Sequence, residues 1–296
     1  MNILIIGSVK FSENAMRHLI NGGFDVVGVV GKEDGGFNSD FVDLVPIALE
    51  LGIDAIHARD VNSKNIRRWI ELKSPDVIMC LGWSRLLGAA LLNIPKICTI
   101  GYHPSELPHN RGRHPLIWAI ALGMENTAST FFLMDEGVDS GKVISQESLK
   151  ILPDDSAEQV YERMTSLALR QLSDFVPKLN ENFISQLPLN VKQGNIWRKR
   201  SEADGRIDWR MRAADIHNLV RALSKPYPGA FFNHGALKIT VWEAKEIELH
   251  GYSNIEPGRI LSFEQGRYLV KCSVGAIEIL SMEPEIDMSS IDYFLY

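Results

Sequence analysis

Cysteine is scarce in this chain. Three residues in 296, Cys80, Cys98 and Cys272, stand far apart and form no CxxC pair. Cys80 and Cys98 lie in apolar runs and read as buried thiols, so a reducing cytoplasm is the expected location and no metal is expected. Long hydrophobic runs are missing too. The most apolar stretch is interrupted by Arg85, Pro95 and Lys96, which excludes a bilayer span, and no membrane partner is expected. Met1 to Gly7 is too short for a signal-peptide core and reads as a first strand. Positive charge is not in excess. Lys and Arg number 31 against 37 Asp and Glu, a formal balance of −6, which does not suit a chain whose main partner is a polyanion, so no nucleic acid is expected. The turn Gly7-Ser-Val-Lys10 is not a G-x-G-x-x-G loop, which excludes a dinucleotide fingerprint. No internal repeat and no low-complexity tract is visible.

What is present is the composition of a soluble globular protein, with 45% hydrophobic and 23% charged residues. Apolar runs at Asn2 to Ile6 and Phe24 to Val30 flank a segment of helical spacing, Phe11 to Asn21, the βαβ opening of a parallel sheet. Helices are expected over Phe41 to Leu51, Asn65 to Leu72, Pro115 to Gly123 and Asp155 to Leu179, the last with Ser156 as N-cap. Strands are expected at Asp76 to Leu81, Ile97 to Ile100 and Ser129 to Met134. Near Pro188 the texture turns polar and basic. The expected division is 1–188 as one domain, 189–212 as a linker and 213–296 as a second domain. The last holds an amphipathic helix, Ala213 to Leu223, and five short strands that suggest a small β-barrel.

The chain is organised around Thr99 to Trp118, which carries His103, three prolines and an Arg-Gly-Arg triplet. The spacing predicts that the chain leaves the sheet at Gly101 and presents His103 at a strand's carboxyl end, the edge where open α/β sheets bind ligands. A second Gly- and carboxylate-rich turn follows at Met134 to Gly141.

Three patterns, His103-x-Ser105-x-Leu107-Pro108, Arg111-Gly112-x-x-Pro115 and Asp135-x-Gly137-x-Asp139-x-Gly141, resemble the folate-dependent formyltransferases. Arg206-Ile-Asp-Trp209, Ile216 to Ala222 and Pro226 to Ala230 resemble the C-terminal domain shared by the methionyl-tRNA and some sugar enzymes. The resemblance implies a Rossmann-like, mostly parallel α/β sheet followed by a small OB-like barrel. It implies transfer of a formyl group from 10-formyltetrahydrofolate, with His103 and Asp139 as the catalytic pair. A tuned histidine can take the amine's proton, and a carboxylate can orient and stabilise it. The folate is implied to lie along Arg85, Leu86 and Leu87 and along Asp135, Glu136, Gly137, Val138 and Asp139. Ser105, Arg111 and Arg113 are the implied substrate contacts.

The family's Asn falls on Gly101. Its part as donor to the developing oxyanion is expected to pass to Asn110, the nearest amide in sequence, with Tyr102 or a backbone N–H as further candidates. A slow enzyme, or a relative that only binds folate, are the other readings. The pattern Arg111-Gly-Arg-His-Pro-Leu-Ile-Trp118 resembles the sugar-nucleotide branch. The loop Gly31 to Asp43 has one lysine against Glu33, Asp34, Asp40 and Asp43, whereas the tRNA enzymes carry a basic insertion there. The expected acceptor is therefore a UDP- or dTDP-linked amino sugar, with methionyl-tRNA as the alternative. The arginines from Arg198 to Arg212 read either as a solvated linker or as a wall for a nucleotide's phosphates. The barrel could serve as the surface of a homodimer.

Overall fold

The run Asn2–Gly7 forms strand β1, fully buried over Ile3, Leu4, Ile5 and Ile6. Such a continuous aliphatic run suits a parallel strand covered on both faces. Helix α1 (Lys10–Asn21) and strand β2 (Asp25–Gly31) complete the first βαβ unit. The structure is a computed structural model and describes residues 1–35, 39–180, 183–184, 194–285 and 292–294. The chain divides into two units. One comprises Met1–Pro115, Thr127–Leu149 and Glu162–Trp197, the other Leu116–Asn126, Lys150–Tyr161 and Arg198–Tyr296. The boundary expected near Pro188 lies outside the described residues.

The first unit is built on a seven-stranded sheet. Its order is β3 (Ala55–His57), β2, β1, β4 (Val77–Leu81), β5 (Cys98–His103), β7 (Asn126–Leu133) and β8 (Val143–Lys150). Strands β3, β2, β1, β4 and β5 run parallel, and β5 pairs antiparallel with β7. The chain moves outward from β1 to β2 and β3, then crosses back to β4. The carboxyl ends of β1 and β4 therefore frame the switch point where open sheets bind ligands. Helices α2 (Leu44–Glu50), α3 (Lys64–Leu72) and α4 (Ala89–Leu92) connect the strands, and α5 (Pro115–Ala121) and α6 (Ala157–Phe175) follow later in the chain. Helix α2 starts later than the spacing predicts, because the Asp43 side chain caps it by accepting from the Val45 N–H at 3.0 Å.

Two further differences from the sequence reading matter for function. Strand β5 does not end at Gly101 but runs to His103, because β7 offers a ladder: Gly101 pairs with Phe132 and His103 with Thr130. Pro104, which has no N–H to donate, ends it. Strand β8 was not expected. Val-Ile-Ser-Gln-Glu-Ser-Leu-Lys has too few apolar residues to announce a strand.

In the second unit a five-stranded antiparallel sheet has the order β10 (Ala230–His234), β11 (Leu237–Ile247), β14 (Ala276–Glu283), β13 (Arg267–Lys271), β12 (Ile260–Glu264). Helix α7 (Ala213–Ala222) buries Ala213, Ile216, Leu219 and Val220. Trp209, Phe232, Tyr268 and Phe294 fill the core, with Phe232 and Phe294 ring centres 4.7 Å apart.

Candidate active site

His103 ends β5 and is buried, with 5% of its surface exposed. Its Nε2 lies 2.8 Å from the carbonyl oxygen of Asn110. A carbonyl only accepts, so Nε2 carries the hydrogen and Nδ1 of the neutral ring keeps its lone pair. Nδ1 faces the Asp139 carboxylate, 3.5 Å from Oδ2. The pair is thus arranged to be strong when the ring is protonated on both nitrogens, and weak when it is neutral.

Two loops hold this geometry. After Pro104 the chain folds back on itself. Ser105 N–H donates to His103 O at 2.9 Å and His109 N–H to Glu106 O at 2.9 Å. Ser105 was expected to touch substrate. It is fully buried instead, and its hydroxyl lies 3.1 Å from the carbonyls of both His109 and Asn110. It shapes the loop that presents the Asn110 carbonyl. Thr130 and Gln146 brace the same loop. Thr130 Oγ1 donates to Ser105 O at 2.6 Å, and Gln146 Nε2 donates to Leu107 O at 2.9 Å and to Thr130 Oγ1 at 3.0 Å. Both supports were missed in the sequence, since neither belongs to a motif and Gln146 sits on the unexpected strand β8.

Strand β6 (Arg111–Gly112) pairs in parallel with β9 (Ile196–Trp197). Gly112 has φ +99°, and a Cβ on it would stand 2.3 Å from Trp197 O, so no larger residue fits. Its N–H donates to Asp139 Oδ2 at 3.1 Å, which ties the Arg-Gly element to the second loop. Asp139 itself has φ +49°. The Asp135 carboxylate accepts from Gly137 N–H at 2.9 Å and from Ser140 Oγ at 2.7 Å, so it builds that loop from within. Five described non-glycine residues have positive φ, and three of them, Asn110, His114 and Asp139, belong to these loops. Such concentrated backbone strain is typical of functional sites.

Gly101 faces the same side of β5 as His103. A Cβ at Gly101 would stand 2.6 Å from Phe132 Cζ and 3.0 Å from Met134 Cγ. The cross-strand phenyl ring takes the space a side chain would need. Tyr102 points to the opposite face. Its ring packs 4.3 Å from Phe11 and 4.8 Å from Phe131, its hydroxyl accepts from Ser129 at 3.2 Å, and burial pushes its pKa up. It belongs to the core, not to the site. Asn110 meets His103 through its backbone, and its N–H donates to Asn195 Oδ1 at 2.8 Å.

The loop after β4 gives a mixed result. Leu87 is 2% exposed and packs in the core with Ala58, Val61 and Leu91, so its side chain is not a ligand contact. Leu86 is 55% exposed, and Val138 of the second loop 40%. Arg85 is exposed, and its Nη1 donates to Arg59 O at 2.7 Å. Glu136 and Gly137 are exposed. Arg111 is half-buried and Arg113 exposed. Among the described residues no group of three or more His, Cys, Asp or Glu could hold a metal.

The arginines from Arg198 to Arg212 are largely committed. Arg198 pairs with Asp204, Nη1 lying 2.8 Å from Oδ2, and holds that carboxyl well below its usual range. Arg210 pairs with Asp208 at 2.8 Å and Arg212 with Asp215 at 2.8 Å.

Known proteins resemble this chain along nearly its whole length. The chain is 29% identical over 290 residues to the methionyl-tRNA formyltransferase of Caldanaerobacter subterraneus subsp. tengcongensis, covering 96% of this chain and 93% of that one. It is 30% identical over 288 residues to the bifunctional polymyxin resistance protein ArnA of Wigglesworthia glossinidia brevipalpis, spanning 96% of this chain but 43% of the longer relative. Among solved structures it resembles the sugar 3N-formyltransferase WlaRD, crystallised with dTDP and 5-N-formyl-THF. The TM-score is 0.69 at 14% identity, over 97% of this chain and 99% of that one. It also resembles the N-formyltransferase of Helicobacter canadensis in complex with folinic acid and dTDP-3-aminofucose, with a TM-score of 0.66 at 18% identity over 94% and 97%. These likenesses concern the fold. The family model for formyl transferase matches residues 1–176 and that for the formyl transferase C-terminal domain residues 199–294, so the chain belongs to the formyl transferase family.

Proposed function

We propose that this formyltransferase moves a formyl group from 10-formyltetrahydrofolate to the amine of a UDP- or dTDP-linked amino sugar, with His103 as the proton acceptor and Asp139 as its stabilising partner. The observation that carries the reading is the His103 ring. It is fixed by the Asn110 carbonyl so that the unprotonated Nδ1 faces Asp139. When bound, the folate supplies an activated one-carbon acyl group. The exposed Leu86 and Val138 side chains, on the two loops that the family resemblance assigns to the pterin, fit a flat apolar ring.

The chain's own residues handle the proton. An amine attacking the formyl carbon becomes positively charged and must lose a proton before the product is stable. His103 Nδ1 is the free lone pair at the strand end and takes that proton. The resulting imidazolium is held from both sides, by the Asn110 carbonyl on Nε2–H and the Asp139 carboxylate on Nδ1–H, and it returns the proton to the folate nitrogen as the bond from that nitrogen to the formyl carbon breaks and tetrahydrofolate leaves. The Gly112 N–H keeps Asp139 in place. The oxyanion donor that Gly101 cannot supply is assigned to the side-chain amide of Asn110, the residue whose backbone carbonyl orients His103. The exposed Arg113, with Arg111, is assigned to the acceptor.

Two observations support a nucleotide-sugar acceptor. One solved neighbour is a sugar 3N-formyltransferase with dTDP, and another is an N-formyltransferase in complex with dTDP-3-aminofucose. The loop after β2 is acidic, and the chain carries −6 overall, which opposes a tRNA backbone. A second reading, methionyl-tRNA as acceptor, is favoured by the relative that is 29% identical along nearly its whole length. The two are separated by binding. A sugar enzyme is stabilised against heat by dTDP or UDP. A tRNA enzyme binds tRNA with steep salt dependence. Stabilisation by tRNA and none by either nucleotide would reverse the assignment.

A further inference from the structure

We infer that Lys32, Arg85 and Arg113 form a receiving site for a multiply charged oxyanion at the carboxyl edge of the sheet, and that its occupant is the diphosphate of the acceptor. Lys32 was no part of the sequence motifs. It follows β2 directly, Arg85 lies in the loop after β4, and Arg113 follows β6. Lys32 and Arg85 thus follow two parallel strands of the sheet, with Lys32 Nζ bonded to Ser84 next to Arg85, and the charge of Arg113 also acts on Lys32.

The Lys32 and Arg85 side chains are held, and Arg113 is held through its backbone. Lys32 Nζ donates to Ser84 Oγ at 2.9 Å and sits 4.7 Å above the Trp83 ring. Arg85 is anchored on the Arg59 carbonyl, and Arg113 N–H on Trp197 O at 3.1 Å. Among the described residues no carboxylate forms an ion pair with any of the three. Burial, followed by the charges of Arg85 and Arg113, holds the Lys32 ammonium below the usual lysine range, and Asp34 opposes this more weakly. The contrast with Arg198, Arg210 and Arg212 is direct, since each of those has its own aspartate. Like charges gathered without a counter-ion raise the free energy of the empty site, and a bound anion lowers it. Two guanidinium forks and an ammonium match a group with several oxygens and more than one charge.

This rests on the proposed acceptor class, but its test needs no turnover. Inorganic pyrophosphate, dTDP, thymidine and 5-formyltetrahydrofolate are titrated calorimetrically into the full chain and into Lys32→Ala, Lys32→Gln, Arg85→Ala and Arg113→Ala. Retained circular dichroism and an unchanged Tm show that the variants fold. Each variant is expected to weaken pyrophosphate and dTDP about tenfold or more, as loss of one charge-assisted hydrogen bond does. Thymidine should be unaffected by every variant, and 5-formyltetrahydrofolate by the Lys32 and Arg113 variants. Unchanged pyrophosphate and dTDP binding in the Lys32 and Arg85 variants would overturn the inference. Weakened 5-formyltetrahydrofolate with unchanged pyrophosphate would overturn the diphosphate assignment and give the cluster to the folate's glutamyl carboxylates. If no amino sugar is formylated yet pyrophosphate binding depends on the three cations, the acceptor reading fails and the oxyanion site stands.

Discussion

At the scale of single residues, the proposed site is an arrangement of one ring, one carboxylate and one carbonyl. Because the carbonyl belongs to Asn110's backbone, the side chain and main chain of that residue can be tested apart. Asn110→Gly keeps the left-handed conformation while removing the amide. If the amide is the oxyanion donor, kcat should fall roughly 10²–10³-fold. An unchanged kcat would leave the backbone carbonyl as Asn110's whole contribution. Gly101 carries the opposite prediction. Restoring an Asn there would not restore a donor, because Phe132 fills the space. Gly101→Asn should destabilise the chain by about 1–3 kcal/mol, the usual cost of overpacking, seen as a lower urea midpoint. A midpoint equal to that of the parent would show that the strand has room after all.

At the scale of elements, the order of strands and helices along the first unit and one helix cap were the legible part. The capping of helix α6 (Ala157–Phe175) could be read from Ser156. The structure adds the reciprocal partner: Gln159 N–H donates to Ser156 Oγ at 3.2 Å, and Ser156 N–H to Gln159 Oε1 at 2.9 Å. Ser156→Ala should cost about 1 kcal/mol in chemical denaturation. Asp76 ties β1 to the start of β5 by bonds to Lys96 Nζ at 2.8 Å and Asn2 N–H at 2.7 Å. Lys96 first, and then that N–H, hold its carboxyl below the usual range. A lowered carboxylate stabilises above its unfolded pKa of about 3.9 and loses that contribution as pH falls through the folded value. Asp76→Asn should therefore flatten acid destabilisation below about pH 4, measured as Tm against pH. What the sequence hid at this scale has physical causes. β5 runs on past Gly101 only because a partner strand lies beside it, and β8 is polar and exposed over 146–148. Pairing partners far apart in the chain leave no local periodicity to read. His103 and Asp139 were legible because motif spacing marks them. Lys32 was not, since a lone lysine in an acidic loop looks solvated until the fold sets Arg85 and Arg113 near it.

At the scale of the whole molecule, charge and redox chemistry are uneven. In a chain with a net charge of −6, the charges of Arg85 and Arg113 nevertheless act on Lys32, and among the described residues no carboxylate pairs with any of the three. Its thiols are quiet. Burial pushes Cys80, Cys98 and Cys272 each up to about 12. The thiolate is the nucleophile, so the folded protein should not react with a disulfide reagent at pH 8, and three thiols should appear on denaturation. Rapid labelling of the native chain would contradict that burial. The proposal for function binds all three scales together, and one measurement tests it most directly. Nucleotide-linked amino sugars are incubated with 10-formyltetrahydrofolate and either the parent chain or His103→Ala, and the product is followed by mass. The account predicts a mass gain of one formyl group on a UDP- or dTDP-linked sugar, with the rate reduced about 10²–10⁴-fold in the variant. A variant that formylates at the parent rate, or a parent that formylates none of these sugars while formylating methionyl-tRNA, would contradict it.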